Sequence, residues 1–392
     1  MKFLVRFLVV ALLILFPFGL LLRFKLLTNV FVTPSDIIVL PLTILILMMG
    51  YKEKRIIKDK FYLFQLLFLL AGFISLIINA IFHSGINVYV ALLYLFRYLC
   101  YLSLIKVSPY FTKSKKILSI MYASSLLFVV FGFIQFIAYN DMRKLFYLGW
   151  DEHLYRLFST LFDPNFAGMC LVVIFFLFLP RVISYSFKKG YPFIIIDFFV
   201  MVAILITYSR TALIAFIVGI TILGILYRRV KLLLILALAG LIVLSTVSDT
   251  SIEGLNPFRT VSTNERLRSI SEALKIIKTQ PLEGVGFNAF RYAQVRYGLR
   301  TEAGVVLSNS DAGTDNSFLF VAATTGIVGF LFYCLSYLFL IRQLLNEKIE
   351  SNVYLISIIS ATLAGSMFLN VLFYTPFLML FFTVIALRKK FS

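Results

Sequence analysis

The sequence predicts an all-α, polytopic membrane bundle of about twelve transmembrane helices with a large, partly helical extracytoplasmic loop. Three observations carry that prediction. Hydrophobic residues fill 61% of the 392 positions and charged ones only 14%, too little polar surface for a soluble chain of this length. Long apolar runs recur down the chain, each able to cross ~30 Å of hydrocarbon at ~1.5 Å per residue. One long polar segment, from about Ser248 to Asn316, holds eight basic and eight acidic residues and is formally neutral within a chain of net charge +19.

In chain order, the apolar runs fall near 3–22, 30–50, 61–82, 87–109, 117–140, 165–180, 192–208, 211–227, 231–247, 317–341, 352–369 and 372–387. The first is too long for a signal-peptide core and lacks a small-residue cleavage site, so it reads as a retained signal-anchor. Pro17, Pro41 and Pro180 sit in or at the ends of runs, which membrane helices tolerate when neighbours satisfy the freed carbonyl. Asn370 and Pro376 must supply a tight turn between the last two spans. With the N-terminus inside, nineteen basic residues fall in the inner connections. Only six fall in the short outer loops: Arg23, Lys25, Arg143, Lys144, Arg156 and Arg210. The bias predicts an inner (cytoplasmic) membrane protein with both termini cytoplasmic. The layout is then nine helices over 1–247, the large loop over 248–316, and three helices over 317–392.

The positive charge lies in clusters between spans, where it orients helices, and does not imply nucleic-acid binding. Cys100, Cys170 and Cys334 lie inside apolar runs without pairing or metal-ligand spacing. His83 and His153 are the only histidines, too few for a histidine-based zinc site or a Ser-His triad, so neither metal nor cofactor is expected. No internal repeat marks two transporter halves.

The long loop reads in its middle as an amphipathic helix. Ser262 and Glu265 have capping-box spacing. Leu267, Ile270, Leu274 and Ile277 follow at helical intervals, and Pro281 and Gly284 end the segment. At ~100° per residue, Arg266 falls roughly 45° from the centre of that stripe while Arg268 points to water.

Four places carry chemistry-bearing residues. Arg210 stands between two apolar runs with almost no loop, where its fork of donors suits a phosphate or diphosphate; a snorkelling role is the plainer alternative. Arg97 falls well inside a span and needs a partner, for which Asp197 is a candidate. Asp163-Pro164-Asn165 opens the sixth span as a capped helix start. Asp315-Asn316 opens the tenth, where Asp315 is either a cap or an acid placed to take a proton from a hydroxyl. Asn309, Asp311, Gly313 and Asp315 alternate like part of a calcium loop without the rest of its pattern. Gly284-x-Gly286 and Gly326-x-x-Gly329 suit turns and helix packing.

Taken in order, several of these fragments resemble one family. They are Leu161-Phe162-Asp163-Pro164-Asn165-Phe166-Ala167-Gly168, Tyr208-Ser209-Arg210-Thr211-Ala212, Glu265-Arg266-Leu267 with Pro281-Leu282-Glu283-Gly284-Val285-Gly286-Phe287-Asn288, and Asn316-Ser317-Phe318-Leu319 with Gly326-Ile327-Val328-Gly329. Over roughly 158–332 the chain resembles the O-antigen ligase and polymerase superfamily of GT-C type membrane glycosyltransferases. The resemblance implies transfer of a saccharide from a polyprenyl-diphosphate-linked donor to a glycan or lipid-linked glycan acceptor, at the lipid bilayer and without a required metal. It assigns the diphosphate to Arg210 and Arg266. Asp315 stands where typical ligases carry a histidine that activates the acceptor, and Asn316, Asn165, Asp163 and Arg97 are expected to line the substrate site. That histidine's absence leaves room for a polymerase or for a ligase with another acceptor. A transporter or flippase of lipid-linked saccharides is the rival reading, and it leaves the charge-balanced loop unexplained.

Overall fold

A computed structural model describes residues 1–27, 30–52, 59–83, 86–111, 116–143, 145, 150–184, 187–228, 261–301, 313–347 and 349–388. Among them, eleven helices follow the predicted apolar runs and two more belong to the long loop. They are α1 (Lys2–Leu15), α2 (Pro34–Lys52), α3 (Lys60–Phe82), α4 (Val88–Ser103), α5 (Lys116–Ala138), α6 (Pro164–Ser184), α7 (Phe187–Ile206), α8 (Arg210–Tyr227), α9 (Val261–Thr279), α10 (Phe290–Arg296), α11 (Ser317–Asn346), α12 (Ile349–Ser366) and α13 (Thr375–Leu387). Six helical segments are long and apolar enough to cross a membrane, and four apolar helices are shorter. The span expected over 231–247 lies outside the described residues.

Helix starts follow local chemistry. Asp59, Asn87, Ser209 and Asn316 each accept a backbone N–H of the first turn, closing α3, α4, α8 and α11 at their N-termini. Two helices are apolar all round and sit at the centre. Every residue from Met169 to Phe178 of α6, and from Pro376 to Leu387 of α13, is buried. Helices α11 and α3 pack along one another, as do α12 and α8. Ile81 and Phe82 of α3 are 73% and 75% exposed, an apolar surface suited to lipid.

The all-α expectation needs one correction. The first run stays helical only to a 3-10 turn at Phe16–Phe18, because Pro17 and Gly19 turn the chain, and the second helix starts at Pro34. Between them Phe24–Leu27 (β1) and Val30–Val32 (β2) form an antiparallel hairpin, with Phe24 opposite Val32 and Lys25 opposite Phe31. β-branched and aromatic residues favour this pairing locally, a signal hidden inside a hydrophobic run.

The long loop is bonded into the bundle through a break in α11. Gly326 leaves helical geometry at φ 65° and ψ −172°, which frees carbonyls of the preceding turn. Val285 N–H donates to the Ala323 carbonyl at 2.9 Å and Gly286 N–H to that of Thr324 at 3.0 Å. In return, Ile327 N–H donates to Pro281 O at 2.9 Å. From α3, buried Ser75 donates to Thr324 O at 3.0 Å and Asn79 to Gly284 O at 2.8 Å. Gly284 (φ 70°) and Gly326 approach so closely that a Cβ on either would strike the other segment's backbone. The two glycine motifs thus have the turn and packing roles expected of them, and together they anchor α9 over the bundle.

Candidate active site

The packed face of α9 is turned by about one residue from the predicted stripe. Leu267 and Leu274 are 60% and 45% exposed, whereas Ala273 and Ile276 are fully buried against Val285, Phe290, Ala293, Phe320 and Ala323. Small side chains win because the helix lies close to α11, where a leucine does not fit. At ~100° per residue the inward face centres on Ala273, so Arg266 sits roughly 20° from its middle. Ser262 falls inside the first turn of α9 and not before it. Arg268 is the water-facing arginine, and its Nε donates to Glu272 at 3.0 Å. Glu272 is buried and also accepts from Gln294 at 2.8 Å and Arg300 at 3.1 Å, which ties α9 to α10 and the segment after it.

Arg210 is brought to that inward face. Ser209 caps α8 and accepts from Ala212 N–H, so Arg210 projects from the first turn, where its Nη1 donates to Thr263 Oγ1 at 3.1 Å. Arg266, one turn further along α9, is close enough to repel Arg210 electrostatically and to attract Asp163. Another turn on, Ser269 bonds Thr314 Oγ1 at 3.0 Å and accepts Asp315 N–H at 3.2 Å. Thr263, Arg266 and Ser269 therefore line up Arg210, Asp163 and Asp315 along one helical face. Asn316, not Asp315, is the cap of α11. Its Oδ1 accepts from Phe318 and Leu319 N–H, and its Nδ2 donates to Met367 O at 2.9 Å.

The Pro-Asn turn closes the opposite wall. Asp163 Oδ1 accepts from Asn165 N–H at 2.6 Å and from Phe166 N–H, capping α6. Asn165 Oδ1 accepts from Ser209 Oγ at 3.0 Å. Burial pushes the Asp163 carboxyl above its ordinary range, against the lowering effect of those N–H groups and of Arg156 and Arg266. Asp163 and Asp151 also cluster with His153, their ligand atoms within 4.8 Å of one another. His153 Nδ1 lies 3.4 Å from Arg156 Nη1, which can only donate. The two guanidiniums beside this cluster oppose a divalent cation and themselves offset the negative charge of its acids. Asn309 and Asp311 of the calcium-like pattern lie outside the described residues.

Sequence reasoning missed the residue that joins these walls. Arg156, counted as one of six outer charges, is only 3% exposed. Its Nε donates to Thr207 O at 2.8 Å, and its Nη2 reaches Tyr208 O at 3.3 Å and Asn165 Oδ1 at 3.4 Å. Gln135 supports the same loop, accepting from Phe158 and Ser159 N–H at 2.8 and 3.0 Å. The backbone they hold is strained, since Tyr155, Ser159, Phe162 and Tyr208 all have φ between 48° and 55°. Such a cluster of non-glycine residues has no signature in sequence.

Arg97 needs a correction too. Its partner is Asp36 of α2 at 3.3 Å, with Nη2 donating to Phe31 O at 2.6 Å, so it pins the hairpin to α4. Asp197, the expected partner, is buried on α7, and its carboxylate oxygens have no hydrogen-bond partner among the described residues.

Residues 195–334 match the family model of O-antigen ligases. Over those 140 of its 392 residues the chain is similar to O-antigen ligases. No curated protein matches the chain. The O-antigen ligase stretch contains Arg210, Arg266, Asp315 and Asn316, while Arg97, Arg156, Asp163 and Asn165 precede it. A family of glycan-building membrane proteins agrees with the apolar helices and with a polar face beneath the loop.

Proposed function

We propose that this protein transfers a saccharide from a polyprenyl-diphosphate-linked donor to an acceptor hydroxyl, at the outer face of the cytoplasmic membrane. The carrying observation is that Arg210 at the start of α8 bonds Thr263 of α9 and is near enough to Arg266, one turn along α9, for the two like charges to interact. Two guanidiniums that repel each other are both drawn to an anion placed between them, and a diphosphate fits two arginine forks. The match of residues 195–334 to the O-antigen ligase family model supports the same substrate class.

In this reading the C–O bond between the donor's anomeric carbon and the diphosphate breaks as the acceptor oxygen attacks. The leaving diphosphate gains negative charge, which the two guanidiniums offset. Asp315, held beside Ser269, takes the acceptor's proton. Asp163 and Asn165 line the facing wall and orient the sugar.

The test is consumption of lipid-linked glycan by protein purified in detergent. Arg210→Ala and Arg266→Ala are expected to lower the rate by roughly 100-fold or more while still reaching the membrane. Asp315→Asn is expected to abolish transfer but leave donor binding intact. Near-normal product length in either arginine variant removes the diphosphate role, and near-normal transfer by the Asn variant removes the base. A transporter would leave the glycan unconsumed in detergent.

A further inference from the structure

Arg23 lies outside the O-antigen ligase stretch, just before β1, and its surroundings are unlike those of a snorkelling arginine. Its guanidinium carbon sits 4.5 Å from the Phe31 ring centre and 4.0 Å from that of Trp150. Stacking of this kind holds the guanidinium plane while leaving its edge donors open. Among the described residues the guanidinium makes no hydrogen bond and no ion pair.

The ring clamp is itself fixed. Arg97 bonds the Phe31 carbonyl and is held by Asp36, so β2 presents its ring from a rigid support. Trp150 lies against Phe162, centres 5.1 Å apart, next to Asp163. Arg23's electrostatic neighbours are the Tyr94 and Tyr374 phenols, and Tyr374 in turn neighbours Asp163. Tyr374 stacks on Phe166 at 4.0 Å and donates to Leu161 O at 3.2 Å, which places it in the Pro-Asn wall. Arg23 is therefore linked to the Asp163 wall through Tyr374.

We infer that Arg23, held between Phe31 and Trp150, forms a second oxyanion subsite that takes a phosphate or carboxylate group of the acceptor. A planar guanidinium with open edge donors, partly buried and without a carboxylate, lacks only such a ligand to complete its hydrogen bonding. The inference rests on the proposed transfer for the word acceptor, but not for the binding itself. Arg97, expected to touch substrate, becomes a positioning residue that acts through Phe31.

Trp150 is the chain's single tryptophan, so its emission reports on Arg23 directly. Purified protein in detergent is titrated with inorganic pyrophosphate and, separately, with sodium glucuronate, each against chloride of equal ionic strength. A saturable change in emission is expected from at least one probe, and which one responds identifies the phosphate or carboxylate source. Arg23→Gln should weaken that response at least tenfold, and Arg23→Lys should weaken it partly. The Arg210→Ala/Arg266→Ala double variant should keep it. Unchanged melting temperatures show that each variant is folded. No response in the wild type, an undiminished response in Arg23→Gln, or a response lost in the double arginine variant overturns the inference. In transfer assays Arg23→Gln should raise KM for the acceptor about tenfold with kcat little changed. If no variant or wild type transfers glycan, the proposed reaction fails while the emission result still decides the subsite.

Discussion

Arg156 shows how much one side chain holds at this site. It bonds Thr207, Tyr208 and Asn165 from a buried position, so Arg156→Ala leaves two carbonyls and an amide oxygen short of donors. The expected loss is about 2–3 kcal/mol. A lower melting temperature with a matching fall in transfer is the outcome to look for, and an unchanged melt removes the structural role. Asp163 gives a pH prediction with a definite sign. Its native pKa lies above the ordinary 3.8 because of burial, so between those values the native state keeps a proton that the unfolded chain releases. Stability from this group is full below 3.8 and falls as pH rises through the native value. Asp163→Asn keeps the cap and should flatten that slope in melts taken across acidic to neutral pH.

At the scale of elements, the broken helix α11 governs where the loop sits. Gly326→Ala places a Cβ on the Leu282 carbonyl at a positive φ, and Gly284→Ala meets the Gly326 backbone. Left-handed backbone alone costs about 1–2 kcal/mol for a residue with a Cβ, before the clash is counted. Either variant should loosen α9 and speed proteolysis within the loop, with transfer falling alongside. Protease resistance equal to the wild type removes this anchoring role. The amphipathic reading of α9 found the helix and the right arginine but misjudged the packed face. Leucine content indicates hydrophobicity, whereas the closeness of α11 selects Ala273 and leaves Leu267 and Leu274 outside.

For the whole molecule, charge asymmetry predicts which side the loop faces. Ser271→Cys on the exposed face of α9 should react with an impermeant maleimide in intact cells, and Arg228→Cys at the far end of α8 only after permeabilisation. The reverse labelling pattern inverts the proposed topology. Apolar run lengths and the clustering of basic residues were enough to read the helical membrane bundle and its long loop, because each span needs about 20 apolar residues whatever its neighbours do. Motif order pointed to the family and to Arg210 and Arg266. Local sequence carries no distances, so it could not show that Arg156 bridges two turns, that Arg97 pairs with Asp36 and not Asp197, or that Arg23 rests between Phe31 and Trp150. Those pairings depend on how helices far apart in the chain pack, where burial requires each polar group to find whichever partner lies near.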